Sequence, residues 1–225
     1  KTRRHRRHSV LLVEYRGKRL MIDCGEDWLG KLDEIDPDAI LVTHAHPDHA
    51  WGLKKGASCP VYAPAPAWEQ LREYDHIDGE IIEHGSPRKL AGVSVEAFPV
   101  DHSVRAPAAG YRLEAGRHAV FYGPDLVYIP DRGEALKDID IYIGDGATIS
   151  RSFVRKSDDH LIGHTPVRTQ LTWCMKEGVD RALITHCGSE IVEGDERRLG
   201  AKLRKMGRER NVDRKSTRLN SSHYS

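Results

Sequence analysis

Short apolar runs alternate with amphipathic stretches along the chain, and the two periods separate strands from helices. The runs predict strands at 9–15, 19–23, 39–43, 60–63, 80–84, 93–99, 109–114, 118–122, 139–143 and 181–185. Spacing of three and four predicts helices at about 28–35, 49–55, 65–73, 132–137, 166–177 and 195–210. Hairpins dominate the first half, and helices separate the later strands. Such a mix suits two sheets packed face to face with helices on their outer surfaces.

Length and composition agree with that picture. A chain of 225 residues, 39% hydrophobic, fits one domain with a sizeable core, and no repeat or low-complexity linker divides it. No apolar run approaches the roughly 18 residues of a membrane span, and no signal peptide is legible. Cys24, Cys59, Cys174 and Cys187 lack paired metal-finger spacing and read as free thiols of a reducing compartment, so a cytoplasmic location is expected.

Residues 213–225 break the helical pattern of 195–210 and read as the translation of a sequencing-adapter oligonucleotide, a non-native tail behind a domain spanning 1–212. The 35 Lys+Arg and 34 Asp+Glu give a net +1; removing Arg214, Lys215 and Arg218 against Asp213 leaves 32 and 33, a net −1. No global basic field steers a polyanion, so a phosphate would be captured by local charge. The basic run Lys1–His8 has no interleaved aromatic residue and reads first as a solvated lead-in to a strand, secondly as a phosphate-attracting edge.

Chemistry concentrates after the third apolar run. Thr43-His44-Ala45-His46-Pro47-Asp48-His49 follows Ala39-Ile40-Leu41-Val42, so a strand end presents three imidazoles and a carboxylate within six residues. His44 and His46, two apart, can turn the same way, while Asp48 and His49 can face a second cation about 3.5–4 Å from the first. Of the chain's 13 histidines, isolated ones such as His76 and His118 read as surface residues. The cluster does not, because its groups repel one another and compete for protons unless a cation organises them.

His-x-His-x-Asp-His after a strand resembles the metallo-β-lactamase superfamily, which implies an αββα sandwich. Further ligands would then sit singly after later strands, where His102, Asp125 and His186 each close a β-like run. Singly, these read equally as a loop residue, a turn former after Gly123-Pro124 and a strand-end cap. The resemblance implies His44, His46 and His102 on one metal, Asp48, His49 and His186 on the other, and Asp125 bridging. Asp145 competes for the bridge, but the interval from His102 to Asp125, with its hairpin, looks like the phosphodiesterase branch. Asp145-Gly146-Ala147-Thr148 looks like that branch's His-Glu-Ala-Thr segment, so Asp145 reads as structural or as a support behind the ligands. The family usually opens with a strand before the hairpin at 9–23, and that strand is expected to be missing here.

Two His- and carboxylate-bound ions acidify a water toward neutral pH, so the expected reaction is hydrolysis, with zinc favoured and manganese or iron as alternatives. Asp48 and His164 are the expected catalytic residues. His164, in Gly163-His164-Thr165-Pro166, resembles the His-Ser/Thr segment that ribonuclease Z-like enzymes place beside the scissile phosphate; alternatively, Thr165 caps a helix opened by Pro166. No insertion resembles the long arm that grips transfer RNA. A small or single-stranded, RNA-like phosphodiester is the favoured substrate, and a homodimer the favoured oligomer if one forms. The alternatives are a thioester or lactam hydrolase of the same fold, and a catalytically silent, metal-dependent nucleic-acid-binding protein.

Overall fold

The computed structural model describes residues 7–158, 160–212 and the backbone of 218–219; Lys1–Arg6 of the basic run and most of the 213–225 tail lie outside the described residues. Strands β1 (Leu11–Tyr15) and β2 (Lys18–Ile22) form a hairpin whose turn residues Arg16 and Gly17 both adopt positive φ, 52° and 77°. That geometry matches the twist of the flanking strands. β3 (Ala39–Leu41), β4 (Val61–Ala63) and β5 (Gly79–Ile81) then add in parallel to complete a five-stranded sheet, β1-β2-β3-β4-β5. Helices α1 (Leu32–Ile35), α2 (Pro47–Ala50) and α3 (Ala65–Leu71) make the connections.

β6 (Arg88–Leu90), β7 (Val93–Val100), β8 (Ala108–Ala115) and β9 (His118–Gly123) form an antiparallel meander. After α4 (Arg132–Ala135), β10 (Ile141–Asp145) pairs in parallel with β9. A two-stranded ribbon, β11 (Arg155–Ser157) and β12 (His160–Ile162), and helix α5 (Val167–Lys176) lead to β13 (Ala182–Thr185), parallel to β10. α6 (Ser189–Val192), α7 (Glu196–Arg208) and β14 (Arg218–Leu219) finish the second sheet, ordered β14-β13-β10-β9-β8-β7-β6.

Alternation along the strands builds three apolar layers. Leu20, Ile22 and Leu41 face Val95, Tyr111, Tyr122 and Ile143 between the sheets. Their chain neighbours Met21 and Ile40 turn the other way onto Trp28, Leu53 and Leu71. Phe121, Tyr142 and Ile184 meet Leu171 and Leu203 on the far side. Strands buried on both faces explain why their sequences read as continuous apolar runs. The result is the αββα sandwich.

Several short elements depart from the sequence pattern. The helix expected at 28–35 shortens to α1 behind a 3₁₀ turn at Glu26–Trp28, because Gly30 interrupts it at φ 71°. The one expected at 49–55 divides into α2 and a 3₁₀ turn at Trp51–Leu53. β6, the β11–β12 ribbon and α6 are additional. Among the described residues no helix is long and apolar enough to cross a membrane.

Leu41, fully buried between the sheets, sits where neither sheet can collapse around a void. Leu41→Ala is expected to lower the unfolding free energy by about 2–5 kcal/mol, measured by urea denaturation. A loss near zero would contradict the two-sheet core.

Candidate active site

Six strands deliver the site from one edge. β2 and β3 run parallel in one sheet, and β7, β9, β10 and β13 share a direction in the other. Asp23, His44, His102, Asp125, Asp145 and His186 all lie at or just beyond the carboxyl ends of these strands. The Tyr111 hydroxyl donates to the Val42 carbonyl (2.6 Å) and the Ala109 amide to that of Thr43 (3.1 Å), joining the two sheets beside His44.

Pro47 at the first turn of α2, with its fixed φ, starts the helix directly after His46 and places Asp48 and His49 on it. A Cβ on Gly25 would collide with the Asp48 carbonyl, so glycine is needed for the loop after β2 to lie against that helix.

The expected ligands converge. His44 Nε2 lies 2.9 Å from His46 Nδ1, which is 3.3 Å from His102 Nε2. Asp125 Oδ2 lies 3.5 Å from His44 Nε2 and 3.4 Å from His102 Nε2. On its other side the same oxygen is 3.2 Å from His49 Nε2, while Asp48 Oδ2 is 3.4 Å from His49 Nε2 and 3.0 Å from His186 Nε2. Zn–N bonds of 2.0–2.1 Å in a tetrahedral shell imply ligand atoms roughly 3.3 Å apart. The observed spacings bracket that value. Among the described residues three buried polar atoms, His49 Nε2, Asp125 Oδ1 and His186 Nδ1, make no well-aligned hydrogen bond; they crowd one another instead, with His186 Nδ1 2.7 Å from Asp125 Oδ1, a costly arrangement that a bound cation would relieve. His44, His46, His102 and Asp125 thus form one group that could hold an ion, and Asp48, His49, Asp125 and His186 a second.

Outer contacts fix the rings. His102 Nδ1 faces the Gly163 carbonyl at 3.2 Å and His44 Nδ1 the Thr43 hydroxyl at 3.0 Å. His49 Nδ1 lies 2.9 Å from Asp23 Oδ2. Each contact assigns the ring proton to Nδ1 and turns Nε2 inward. Asp23 was not among the expected site residues. It is fully buried, its other oxygen accepts from the Thr43 amide (2.8 Å) and hydroxyl (2.9 Å), and it closes an apolar run as the other site residues do.

Charge divides the imidazoles. Burial pushes His44, His46 and His102 below the ordinary histidine range, which keeps them neutral and able to donate a lone pair. Burial acts the same way on His49 and His186, but their carboxylate neighbours win, chiefly Asp23 for His49 and Asp125 for His186, and both rise. Burial would raise Asp48 and Asp125; histidine contacts outweigh it and hold both well below the usual carboxylate range.

His164 joins the cluster, with Nδ1 2.8 Å from Asp145 Oδ2 and 3.5 Å from Asp125 Oδ1. Burial lowers its affinity for a proton, the Asp145 hydrogen bond and charge raise it more, and the net shift is upward. Gln170, also unforeseen, clamps Asp145: its Oε1 accepts from the Asp145 amide (2.9 Å) and its Nε2 donates to the Asp145 carbonyl (2.7 Å). Asp125, Asp145, His164 and His186 form a third group with ligand spacing. In it, however, Asp145 already accepts from the Ala147 amide (2.8 Å), the Leu126 amide (3.3 Å) and His164, so it serves as a hydrogen-bond hub. Thr165 does not cap α5; Pro166 occupies the N-cap position, and no side chain caps the helix.

Residues 18–187 match the family model described as a beta-lactamase superfamily domain. The chain is 34% identical over 128 residues to ribonuclease Z of Methanopyrus kandleri, covering 48% of this chain and 44% of that protein. It is 28% identical over 137 residues to the exodeoxyribonuclease WalJ of Streptococcus pneumoniae, covering 53% and 51%. It therefore spans about half the length of these curated relatives. The metallo-β-lactamase fold protein YhfI of Bacillus subtilis superposes with a TM-score of 0.74 at 18% identity, over 97% of this chain and 90% of that one, a likeness of fold.

Because Asp23 fixes the His49 ring, Asp23→Asn is expected to weaken zinc retention by about 10–100-fold, read by competition with a chromogenic chelator. Retention equal to the parent's would show that Asp23 does not prepare His49 for a cation.

Proposed function

The chain belongs to the beta-lactamase superfamily, and we propose that it is a dinuclear metal-dependent phosphodiesterase acting on a small or single-stranded phosphodiester. In this reading His44, His46 and His102 hold one ion, Asp48, His49 and His186 the other, and Asp125, whose Oδ2 faces both groups, lies between them. Two bound divalent ions, zinc or else manganese or iron, supply positive charge to the phosphoryl oxygens and a water acidified toward neutral pH. The Asp48 side chain, 35% exposed, faces both His186 and solvent, where it would help to hold the second ion and orient an attacking water.

The observation that carries the choice of phosphodiester over thioester is the Asp145–His164 pair. Asp145 holds Nδ1 of His164 at the margin of the cluster and favours its protonated form, which leaves Nε2 free of that bond to carry a proton. A thiolate, with a pKa of about 8.5, departs without an acid. An alkoxide leaving a phosphodiester does not, and a positioned imidazolium answers that need. The names of the relatives, a ribonuclease and an exodeoxyribonuclease, support the same substrate class.

Metal-loaded protein assayed against bis-p-nitrophenyl phosphate, a 2′,3′-cyclic nucleotide, a glutathione thioester and a chromogenic lactam tests the reading. Phosphodiester turnover is expected. Turnover of the thioester or lactam alone would replace it with that activity; full metal occupancy with no turnover would favour a silent binding protein. Asp48→Ala is expected to lose the second ion and orders of magnitude in rate. His164→Ala is expected to keep its metal while kcat on the 2′,3′-cyclic nucleotide, whose leaving group is an alkoxide, falls by about 10²–10⁴. Unchanged turnover in either variant contradicts the proposed roles.

A further inference from the structure

The β11–β12 ribbon contributes no side chain to the candidate metal groups, yet it is fastened beside them. The Gly163 amide donates to the His102 carbonyl (2.9 Å), the Gly163 carbonyl faces His102 Nδ1 (3.2 Å), and the Phe153 amide donates to the His164 carbonyl (3.2 Å). An isolated two-stranded ribbon is marginal in water, so these anchors hold it in place. Gly163 adopts φ 109°, and a Cβ there would collide with the Phe153 carbonyl, which makes the close approach glycine-dependent.

What the ribbon presents is unusual for a solvated turn. Phe153 is 45% exposed and Leu161 42%, and Val104, two residues beyond His102, is 52% exposed. Three of the six exposed large hydrophobic residues among those described therefore adjoin His102 and His164. Arg155 pairs with Ile162, two residues before His164, and the Phe153–His164 hydrogen bond continues that register. That main-chain bond sets Phe153 beside His164, with Arg155 two residues further along the ribbon. The Arg151 guanidinium lies 5.8 Å from the Phe153 ring centre. Among the described residues of the ribbon, acid is confined to the distal turn, at Asp158. Cations and an exposed aromatic ring thus flank the site, and the Asp158 carboxylate stands at the far end.

We propose that this ribbon is a platform for single-stranded nucleic acid, on which Phe153 stacks against a base beside the scissile phosphate while Arg155 and Arg151 hold the adjoining backbone. The proposal rests on the phosphodiesterase reading and narrows its substrate class. An unpaired base offers a free π-face to an exposed ring, and stacking is tolerant of sequence. A base inside a duplex is already stacked on its neighbours.

The test uses metal-loaded protein and short fluorescein-labelled phosphorothioate single strands, DNA and RNA, with affinity read by fluorescence anisotropy across a salt series. Phe153→Ala is expected to weaken binding by about tenfold, and Phe153→Trp to retain the parent affinity. Arg155→Gln, an exposed change that leaves the fold intact by circular dichroism, is expected to weaken binding and flatten the slope of log K against log salt by about 0.7. Equal affinity in parent, Phe153→Ala and Arg155→Gln overturns the platform. A parent that hydrolyses bis-p-nitrophenyl phosphate but binds neither strand also overturns it, and leaves the phosphodiesterase reading standing. Phe153-dependent binding without hydrolysis of any diester supports the platform and removes the hydrolase reading.

Discussion

One carboxylate organises the centre of this molecule. Asp125, only 4% exposed, lies within 3.5 Å of five imidazoles, those of His44, His49, His102, His164 and His186. A buried carboxylate in an apolar sandwich is costly unless positive charge or donors surround it. Neutral, desolvated His44 and His102 cannot supply that charge, and His49 and His186 do so only by binding protons. Cations placed between the rings would satisfy Asp125 and leave His44, His49, His102 and His186 as donors of lone pairs. The electrostatics of the pocket and its ligand spacing therefore point to the same solution.

The fold makes such a concentration of polar groups tolerable. Apolar residues fill the space between the sheets and beneath the helices on both outer faces, so the polar groups gather where the strands end. Parallel strands bring their carboxyl ends together, and the loops beyond them can differ without disturbing the layers. Main-chain hydrogen bonds then tie loop to loop. The Thr165 amide donates to Leu126 (3.0 Å) and the Val127 amide to Asp101 (2.6 Å), which links the neighbourhoods of His164, Asp125 and His102. The groups of the candidate site are thereby held by backbone as well as by their own packing.

Much of this was legible because His44, His102, Asp125 and His186 each follow an apolar run, and His46, Asp48 and His49 follow His44 in one short motif. The eight-residue β7 and six-residue β9 leave clear signals, and His102 and Asp125 follow them directly. Asp23 ends Leu20-Met21-Ile22 in the same manner, yet it escaped notice because it supports a ring from behind and belongs to no short motif. Gln170 was hidden for another reason: on a helix facing a sheet its polarity resembles a lapse in the apolar stripe, and only the clamp on Asp145 shows why it is buried. β6, β11 and β12 are three residues each, too short for a period of two to emerge, and Arg155-Lys156-Ser157 is polar throughout. Their strand geometry comes from partners distant in sequence.

Backbone strain marks two site residues in a way that composition conceals. Asp23 and His186 adopt φ 66° and 47°, where glycine would be at ease. Non-glycine residues in this region cost on the order of 1–3 kcal/mol each. Glycine would relieve the strain but remove the carboxylate that fixes His49 and the imidazole that faces Asp48 and Asp125. The surrounding contacts over-determine both conformations: Asp23 is pinned by the Thr43 amide and hydroxyl, and the His186 amide donates to the Ser9 hydroxyl 3.0 Å away. That last bond reaches across 177 positions of sequence, from the segment leading into the first strand to the end of β13. The segment around Ser9 is held there as well, since the His8 carbonyl accepts from the Trp28 indole (3.1 Å) and the His8 amide donates to Asp27 (3.0 Å). A strained strand end is thus stabilised by contacts with both the opposite sheet and the amino-terminal segment, and the geometry at His186 depends on the whole sandwich being closed.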